Sequence, residues 1–268
     1  MIVARAAAVL AEHGVDTART DAEWIVAHVA GVARSNLATD CCKVDEADVW
    51  PLVLRRANRE PLAYVLGEWG FRRLILRCDA RALVPRPETE QVVERAVELC
   101  NSLLQGSVRA LDVGTGTGAI ALALADEVGA DVVAMDASED ALALARENAA
   151  RLGLDVRFVG GDLRDGLPPG PFDLVVSNPP YVLPGELDAL EPEVRDWEPR
   201  EALVDEGQTE ALVARALEVL RPGGVLLVEV HEGRAAELAA TLQAVGYEGV
   251  RIGQDLAGRE RMVEGRRA

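Results

Sequence analysis

Residues 108–113 form a short apolar run, residues 119–125 read Ala-Ile-Ala-Leu-Ala-Leu-Ala, and Gly114-Thr115-Gly116-Thr117-Gly118 lies between them. No other stretch limits the fold as tightly. A run too short for a buried helix reads as an interior strand, and the alanine–leucine repeat reads as a helix. Three alternating glycines read as the tight turn that joins them. Glycine enters left-handed conformations without steric cost, so this turn lets backbone approach a ligand closely, with the helix N-terminus facing it. Strand–loop–helix units of this kind build parallel, doubly wound sheets.

The spacing is G-x-G-x-G, not the G-x-G-x-x-G of dinucleotide sites, so a nicotinamide cofactor is disfavoured. The next strand, Asp131-Val132-Val133-Ala134-Met135, ends at Asp136, where a carboxylate can accept both hydroxyls of a ribose. A third strand, residues 156–159, leads to Gly161-Asp162-Leu163, where Asp162 can read an adenine amino group. Each acid taken singly reads as readily as a solvated loop residue. Three at successive strand ends mark one nucleoside-like site, with Asp112, Gly114, Thr115, Gly116, Gly118, Asp136, Asp162 and Leu163 as its residues.

A fourth apolar run, Phe172-Asp173-Leu174-Val175-Val176-Ser177, ends in Asn178-Pro179-Pro180-Tyr181. This tetrapeptide suits the grip of a planar NH2 group. The Asn178 side-chain oxygen can accept one N–H, and a backbone carbonyl near Pro179 the other. Proline lacks an N–H and has a fixed φ, which presets that carbonyl. Tyr181 can pack against the flat group. By itself the tetrapeptide reads equally as a strand-ending turn. Paired with the glycine loop, it points to methyl transfer from S-adenosylmethionine to an amide or exocyclic amine nitrogen, with Asn178, Pro179 and Tyr181 as the catalytic residues.

The rest of the chain divides around this core. Apolar positions recur at helical spacing over residues 2–13 and 22–32, stopped by Gly14 and Gly31. Thr20 with Glu23 forms a capping box, and Asp45 or Asp48 starts a third helix near residues 49–57. Residues 1–66 therefore read as a small helical domain and residues 67–84 as a β-like hairpin or linker. Residues 85–268 read as the catalytic domain. Pro85-Arg86-Pro87-Glu88-Thr89-Glu90 opens a helix to about Leu104, with proline in the first turn. Strands follow near 108, 132, 156, 172 and 224, and residues 248–252 with 261–264 close the sheet as a hairpin.

Composition is consistent with this. A chain of 268 residues that is 49% hydrophobic can bury a large core. Cys41, Cys42, Cys78 and Cys100 show no C-x-x-C pairing and no metal-like spacing with the three histidines, which predicts a reduced, cytoplasmic, metal-free monomer. The longest uncharged stretch, residues 113–125, is too short to cross a bilayer, and the N-terminus carries no signal-peptide pattern. A net charge of −17 argues against stable nucleic-acid binding. One segment departs from that balance. Arg55, Arg56, Arg59, Arg72, Arg73, Arg77, Arg81 and Arg86 against Glu60, Glu68 and Asp79 give a local excess of +5, which is either a solvated face or a surface for an acidic partner.

Over essentially its whole length the chain resembles the HemK/PrmC family of protein-(glutamine-N5) methyltransferases. The resemblance rests on Arg59-Glu60-Pro61-Leu62-Ala63-Tyr64-Val65-Leu66-Gly67, on Leu83-Val84-Pro85-Arg86-Pro87-Glu88-Thr89-Glu90, on the glycine loop and on Asn178-Pro179-Pro180-Tyr181. Trp197-Glu198-Pro199-Arg200-Glu201-Ala202-Leu203 and Asp255-Leu256-Ala257-Gly258-Arg259-Glu260-Arg261 fit its later blocks. It implies a class I S-adenosylmethionine-dependent methyltransferase fold, Rossmann-like with a mostly parallel seven-stranded sheet, preceded by a small helical bundle. It implies that the substrate is the glutamine of the Gly-Gly-Gln loop in peptide chain release factors, and the product S-adenosylhomocysteine. It places Asn178 and Pro179 on the glutamine amide, Pro180 and Tyr181 beside it, and Glu88 and Thr89 nearby.

Two segments depart from the family pattern. After the fifth strand the family often reads Glu-Ile-Gly-x-x-Gln, where this chain has Glu229-Val230-His231-Glu232-Gly233-Arg234. A Gly-x-Asp-Gly block is replaced by Asp205-Glu206-Gly207-Gln208-Thr209-Glu210. His231 reads as a general base or as a strand-end residue with a local hydrogen bond. Three other readings stay in view: a paralogue methylating another protein or small molecule, a nucleic-acid amine methyltransferase that shares the same clamp, and a non-catalytic binding module on the same fold.

Overall fold

A computed structural model describes residues 2–37, 44–103 and 107–268. The helical periodicity at the start forms α1 (Ile2–Glu12), α2 (Ala18–Ala30), α3 (Glu46–Ala57) and α4 (Leu62–Leu66). A two-stranded sheet follows, β1 (Glu68–Phe71) and β2 (Leu74–Arg77), and then α5 (Pro87–Leu103). The alternating part contains β3 (Arg109–Val113), α6 (Ala119–Val128), β4 (Asp131–Asp136), α7 (Glu139–Leu152), β5 (Arg157–Gly160) and β6 (Phe172–Ser177). It continues through α8 (Pro192–Arg195), α9 (Arg200–Leu203), α10 (Gln208–Val219) and β7 (Leu220–Glu229). The last elements are α11 (Ala235–Val245), β8 (Tyr247–Gln254) and β9 (Glu260–Arg267).

The chain separates into two compact units, Met1–Trp69 with Leu190–Trp197, and Gly70–Ala189 with Glu198–Ala268. In the first unit, Leu10, Ile25, Val49 and Val53 are fully buried at the centre. The capping box predicted at Thr20 and Glu23 does not form. Burial of Ala18 starts α2 a turn earlier, and Glu23 instead accepts a hydrogen bond from Arg19 Nε at 2.7 Å. Asp45 does cap α3, accepting from the Ala47 N–H at 2.9 Å, so the helix begins a turn ahead of the predicted start. Cys41 and Cys42 lie outside the described residues, as does Leu104, while Cys78 and Cys100 are buried thiols.

The second unit is built on a seven-stranded sheet in the order β5-β4-β3-β6-β7-β9-β8. The first five strands in that order run parallel, and β9 is antiparallel to both neighbours. The predicted closing hairpin is present, with both strands longer than the sequence indicated. Strands buried on both faces read as continuous apolar runs, and β3, β4 and β6 carry Leu111, Val133, Val175 and Val176 at or near zero exposure. Helices α5 and α6 cover one face, α10 and α11 the other. Pro87, not Pro85, opens α5, at the position where a missing N–H costs no hydrogen bond.

The arginine-rich segment is largely neutralised within the fold. Seven of its eight arginines make ion pairs: Arg55 with Glu60, Arg56 with Asp21, Arg59 with Glu193, Arg72 with Glu127, Arg77 and Arg81 with Glu147, and Arg86 with Glu198. This favours the solvated-and-paired reading over an acidic partner. In the first unit Arg56 is the pivot. Its side chain is 7% exposed, and it donates to Asp21 Oδ2 and Glu193 Oε1, both at 2.7 Å, and to the Glu60 carbonyl at 3.2 Å. Removing one partner of a buried pair leaves the other charge uncompensated, at a cost of about 3–5 kcal/mol. Arg56→Ala is therefore expected to lower the urea midpoint of the first unit's unfolding transition by that order of free energy. An unchanged midpoint would show that Asp21 and Glu193 find water instead.

Candidate active site

The parallel strands β3 to β7 end along one edge of the sheet. Register pairs Val113 with Met135 and with Ser177, Asp136 with Gly160, and Ser177 with Val228. The strand order reverses between β3 and β6, which leaves a crevice at the carboxyl ends, the usual place for a ligand in a doubly wound sheet. A cavity of about 210 Å³ opens there. Gly114–Thr117, Met135–Ser138, Gly161–Arg164, Asn178 and Pro180 line it, together with residues of the 81–89 segment.

Gly114 and Gly116 have φ of +74° and +55°, which side chains rarely adopt, and so expose bare backbone to the cavity. The loop is held by its neighbours. The Gly114 and Thr115 N–H groups donate to the Met135 carbonyl at 2.8 and 3.0 Å. Asp136 accepts from the Gly116 N–H at 2.8 Å and the Ser138 N–H at 2.9 Å, and burial raises its carboxyl. Asn148, fully buried on α7, donates to the Thr117 carbonyl at 2.9 Å and accepts from the Arg77 N–H at 2.7 Å.

Two predicted cofactor residues lie outside the cavity wall. Asp112 is fully buried beneath the loop, where Oδ2 accepts from Thr115 Oγ1 at 2.7 Å and the Ala121 N–H at 3.2 Å. Its Oδ1 has no partner, and burial pushes the carboxyl up to about 7. Gly118 is a packing glycine, because a Cβ there would lie 3.0 Å from Leu122 Cδ1 and 3.3 Å from Ala145 Cβ. Asp162 and Leu163 do line the cavity. Both oxygens of Asp162 are engaged by the Arg164 guanidinium, at 3.0 and 2.6 Å, which holds its carboxyl below the usual range.

Asn178 sits at the head of a relay. Its Nδ2 donates to Thr89 Oγ1 at 3.2 Å, and Thr89 Oγ1 donates to Glu229 Oε2 at 2.7 Å. Thr89 and Glu229 are 4% and 1% exposed. A hydroxyl has one proton, so a Thr89 that donates to an ionised carboxylate can only accept from Asn178. The nitrogen end of the Asn178 amide is thereby fixed, and its Oδ1 is left for a ligand. Burial pushes Glu229 up to about 7, against the opposing pull of Thr89 and Arg261.

Of the remaining predicted substrate residues, Pro180 lines the cavity, whereas Pro179, Tyr181 and Glu88 do not. Tyr181 borders a second, smaller cavity, and its ring centroid is 5.7 Å from that of His231. Glu88 pairs with Arg259 at 3.3 Å. His231 Nδ1 donates to the adjacent Glu232 carbonyl at 2.8 Å, the local bond of the simpler reading. The sequence reading missed Glu229, although it ends an apolar parallel strand as Asp136 does. It also missed the buried Glu198, which accepts from the Val84 N–H at 3.2 Å and from Arg86 at 2.5 Å and so fastens the cavity's 82–89 wall.

Residues 2–67 match the PrmC N-terminal domain, and residues 104–254 match a methyltransferase domain. The release factor glutamine methyltransferase of Deinococcus radiodurans is 44% identical, over 100% of this chain and 98% of its own. That of Caulobacter vibrioides is 39% identical, over 96% and 92%. Among solved structures, the T. thermophilus 16S rRNA N2 G1207 methyltransferase in complex with AdoMet and guanosine superposes with a TM-score of 0.56 at 18% identity, over 75% of this chain and 50% of the other. A Pyrococcus furiosus methyltransferase gives 0.53 at 20%, over 73% and 89%. These two likenesses show the fold, that of the class I S-adenosylmethionine-dependent methyltransferases. The end-to-end matches show more: the chain belongs to the HemK/PrmC family of release factor glutamine methyltransferases.

Proposed function

We propose that this protein transfers the methyl group of S-adenosylmethionine to the side-chain amide nitrogen of the glutamine in the Gly-Gly-Gln loop of peptide chain release factors. The observation that carries this reading is the fixed orientation of Asn178, whose oxygen is turned out to accept an N–H while its nitrogen is tied to Thr89. The cavity fits the cofactor. Gly114 and Gly116 offer bare backbone, and Asp136 keeps lone pairs for ribose hydroxyls beyond the two backbone bonds it accepts. Leu163 gives an apolar wall for the adenine, and Asp162 lies beside it with its charge already shared with Arg164. Asp112 and Gly118 serve the same site indirectly, by holding the loop and seating α6. When bound, S-adenosylmethionine supplies an electrophilic methyl group and leaves as S-adenosylhomocysteine.

The chemical demand on the protein is orientation and electrostatics. An amide lone pair is delocalised, so the nitrogen must be held in line while positive charge develops on it. Asn178 Oδ1 and a carbonyl near Pro179 accept its two N–H groups, Pro180 forms part of the cavity wall, and Tyr181 borders the second cavity beyond it, while Glu88 stays paired with Arg259. Once methylated, the nitrogen loses a proton readily, so no strong base is required. Glu229 acts as a positioning residue through Thr89. The N-terminal unit grips the protein substrate, and a substrate drawn from translation places the reaction in the cytoplasm.

The direct test is mass spectrometry of a Gly-Gly-Gln peptide from an unmethylated release factor after incubation with the protein and S-adenosylmethionine. One methyl group on the glutamine is expected; cofactor binding without any mass gain would move the activity to another amide or amine. Asn178→Ala should lower kcat by about 10²–10³, the scale of losing one preorganised partner of the developing charge, with cofactor affinity retained in calorimetry. Asp136→Ala should weaken cofactor binding by about 1–3 kcal/mol. Below its pKa of about 7, protonated Glu229 no longer compels Thr89 to donate towards it. Asn178 then loses its fixed orientation, so kcat/KM should rise with pH through that range. Glu229→Gln should flatten the rise, and a profile identical to wild type would remove Glu229 from the relay.

A further inference from the structure

We propose that the second cavity, bordered by Tyr181, Asp205, Glu210, Glu229, Arg234 and Glu237, is a subsite for a cationic side chain of the protein substrate, within about three residues of the methylated glutamine. This rests on the reading of the clamp given above. Four carboxylates face one guanidinium, and Arg234 is itself drawn towards Glu237 at 3.4 Å. The cluster does not stand alone. Glu229 is 1% exposed and its Oε1 makes no hydrogen bond, although Oε2 receives the Thr89 hydroxyl. A buried carboxylate oxygen without a donor is costly, more so than a neutral group left unpaired. Arg261, the buried cation on β9, opposes the Glu229 charge through space without supplying that hydrogen bond. An arginine or lysine entering from the substrate brings both the missing donor and the missing charge.

Position supports the same occupant. Asn178 borders the main cavity and Tyr181 the second, and three residues of chain reach at most about 10 Å. An extended substrate covers that distance with about three residues of its own. The two segments in which this chain departs from the family pattern, residues 205–210 and 229–234, both contribute to the wall. Within those segments Asp205, Glu210 and Arg234 are particular to this chain, while Glu229, which also holds the clamp, keeps the glutamate of the family pattern.

The test uses the full chain and Gly-Gly-Gln peptides carrying arginine, or its neutral isostere citrulline, at each of three positions on either side of the glutamine. At one position the arginine peptide should have a kcat/KM about tenfold above its citrulline partner, the worth of about 1.4 kcal/mol. That ratio should fall about fivefold in Glu210→Gln, the scale of one partly exposed ion pair. It should approach or drop below one in Glu210→Lys. Glu210 is exposed on α10, so both variants fold. Ratios within about twofold of one at every position, or a ratio untouched by Glu210→Lys, would overturn the subsite. Absence of methylation on every peptide, with cofactor bound, would overturn the glutamine reading and the subsite with it.

Discussion

The pairing of β3 with β6 is the constraint on which the site depends. It sets Val113 opposite Ser177, and the Ser177 hydroxyl donates to the Val113 carbonyl at 2.6 Å. The loops that follow these strands therefore leave the sheet side by side. A Cβ at Gly114 would lie 4.0 Å from the Asn178 carbonyl. Cofactor cradle and amide clamp are far apart in sequence, and a one-residue slip of this register would turn every β6 side chain to the opposite face. It would bury Asn178 or turn it away from Thr89. The alternation of strand and helix is common to many folds; this single parallel pairing brings the glycine loop and Asn178 to one cavity.

Around that pairing the molecule buries carboxylates that a purely apolar core would exclude. Asp112 and Glu229 are both at or near zero exposure, each with one oxygen bonded and one without a partner. Their placement is directional. Asp112 braces Thr115 and the start of α6 from below, and Glu229 braces Thr89 and through it Asn178. Burying such groups costs stability unless they are paired and hydrogen-bonded. What the site gains is rigid aim, since a donor fixed by a buried acceptor cannot rotate to suit solvent. Among the described residues the other buried acids each meet an arginine, as Asp21 meets Arg56 and Glu198 meets Arg86. Incomplete satisfaction among these buried carboxylates is found at the site.

The sheet and its order of elements were legible in the chain because continuous apolar runs and glycine stops are local signals. Thr115, Gly116, Asp136, Leu163 and Asn178 were picked out the same way, as residues next to strand ends, and all five line the cavity. What was not legible depends on long-range pairing. Thr20 and Glu23 spell a capping box, yet burial of Ala18 moved the helix start past them. Asp112 has the spacing of a ligand residue, but fold closure places it beneath the loop. Asn148, Glu198 and Glu229 act through partners more than 30 residues away, and no window of sequence shows those partners. The arginine excess between Arg55 and Arg86 looked like a binding face because its acids lie elsewhere in the chain.

A clamp of this kind recognises an NH2 group on a flat π system, and the side-chain amide of glutamine shares that description with adenine and guanine. Asn178 and its prolines cannot separate these by hydrogen-bond count, so discrimination has to come from groups outside the clamp. Net charge is one such group. At −17 the surface repels a phosphate backbone and attracts a basic protein, and at long range that bias acts on encounter rate more than on affinity. Short-range discrimination needs a charge that is desolvated and fixed in place, because exposed charges are screened. Glu229 meets that requirement: its carboxylate is buried, one oxygen is committed to orienting Asn178, and the other lacks a donor. Occupancy of that second oxygen by a substrate cation would favour the ionised Glu229 on which the clamp's orientation depends. The residue that aims the clamp would then also sense the right neighbour, and binding of the correct sequence would strengthen the geometry proposed to methylate it.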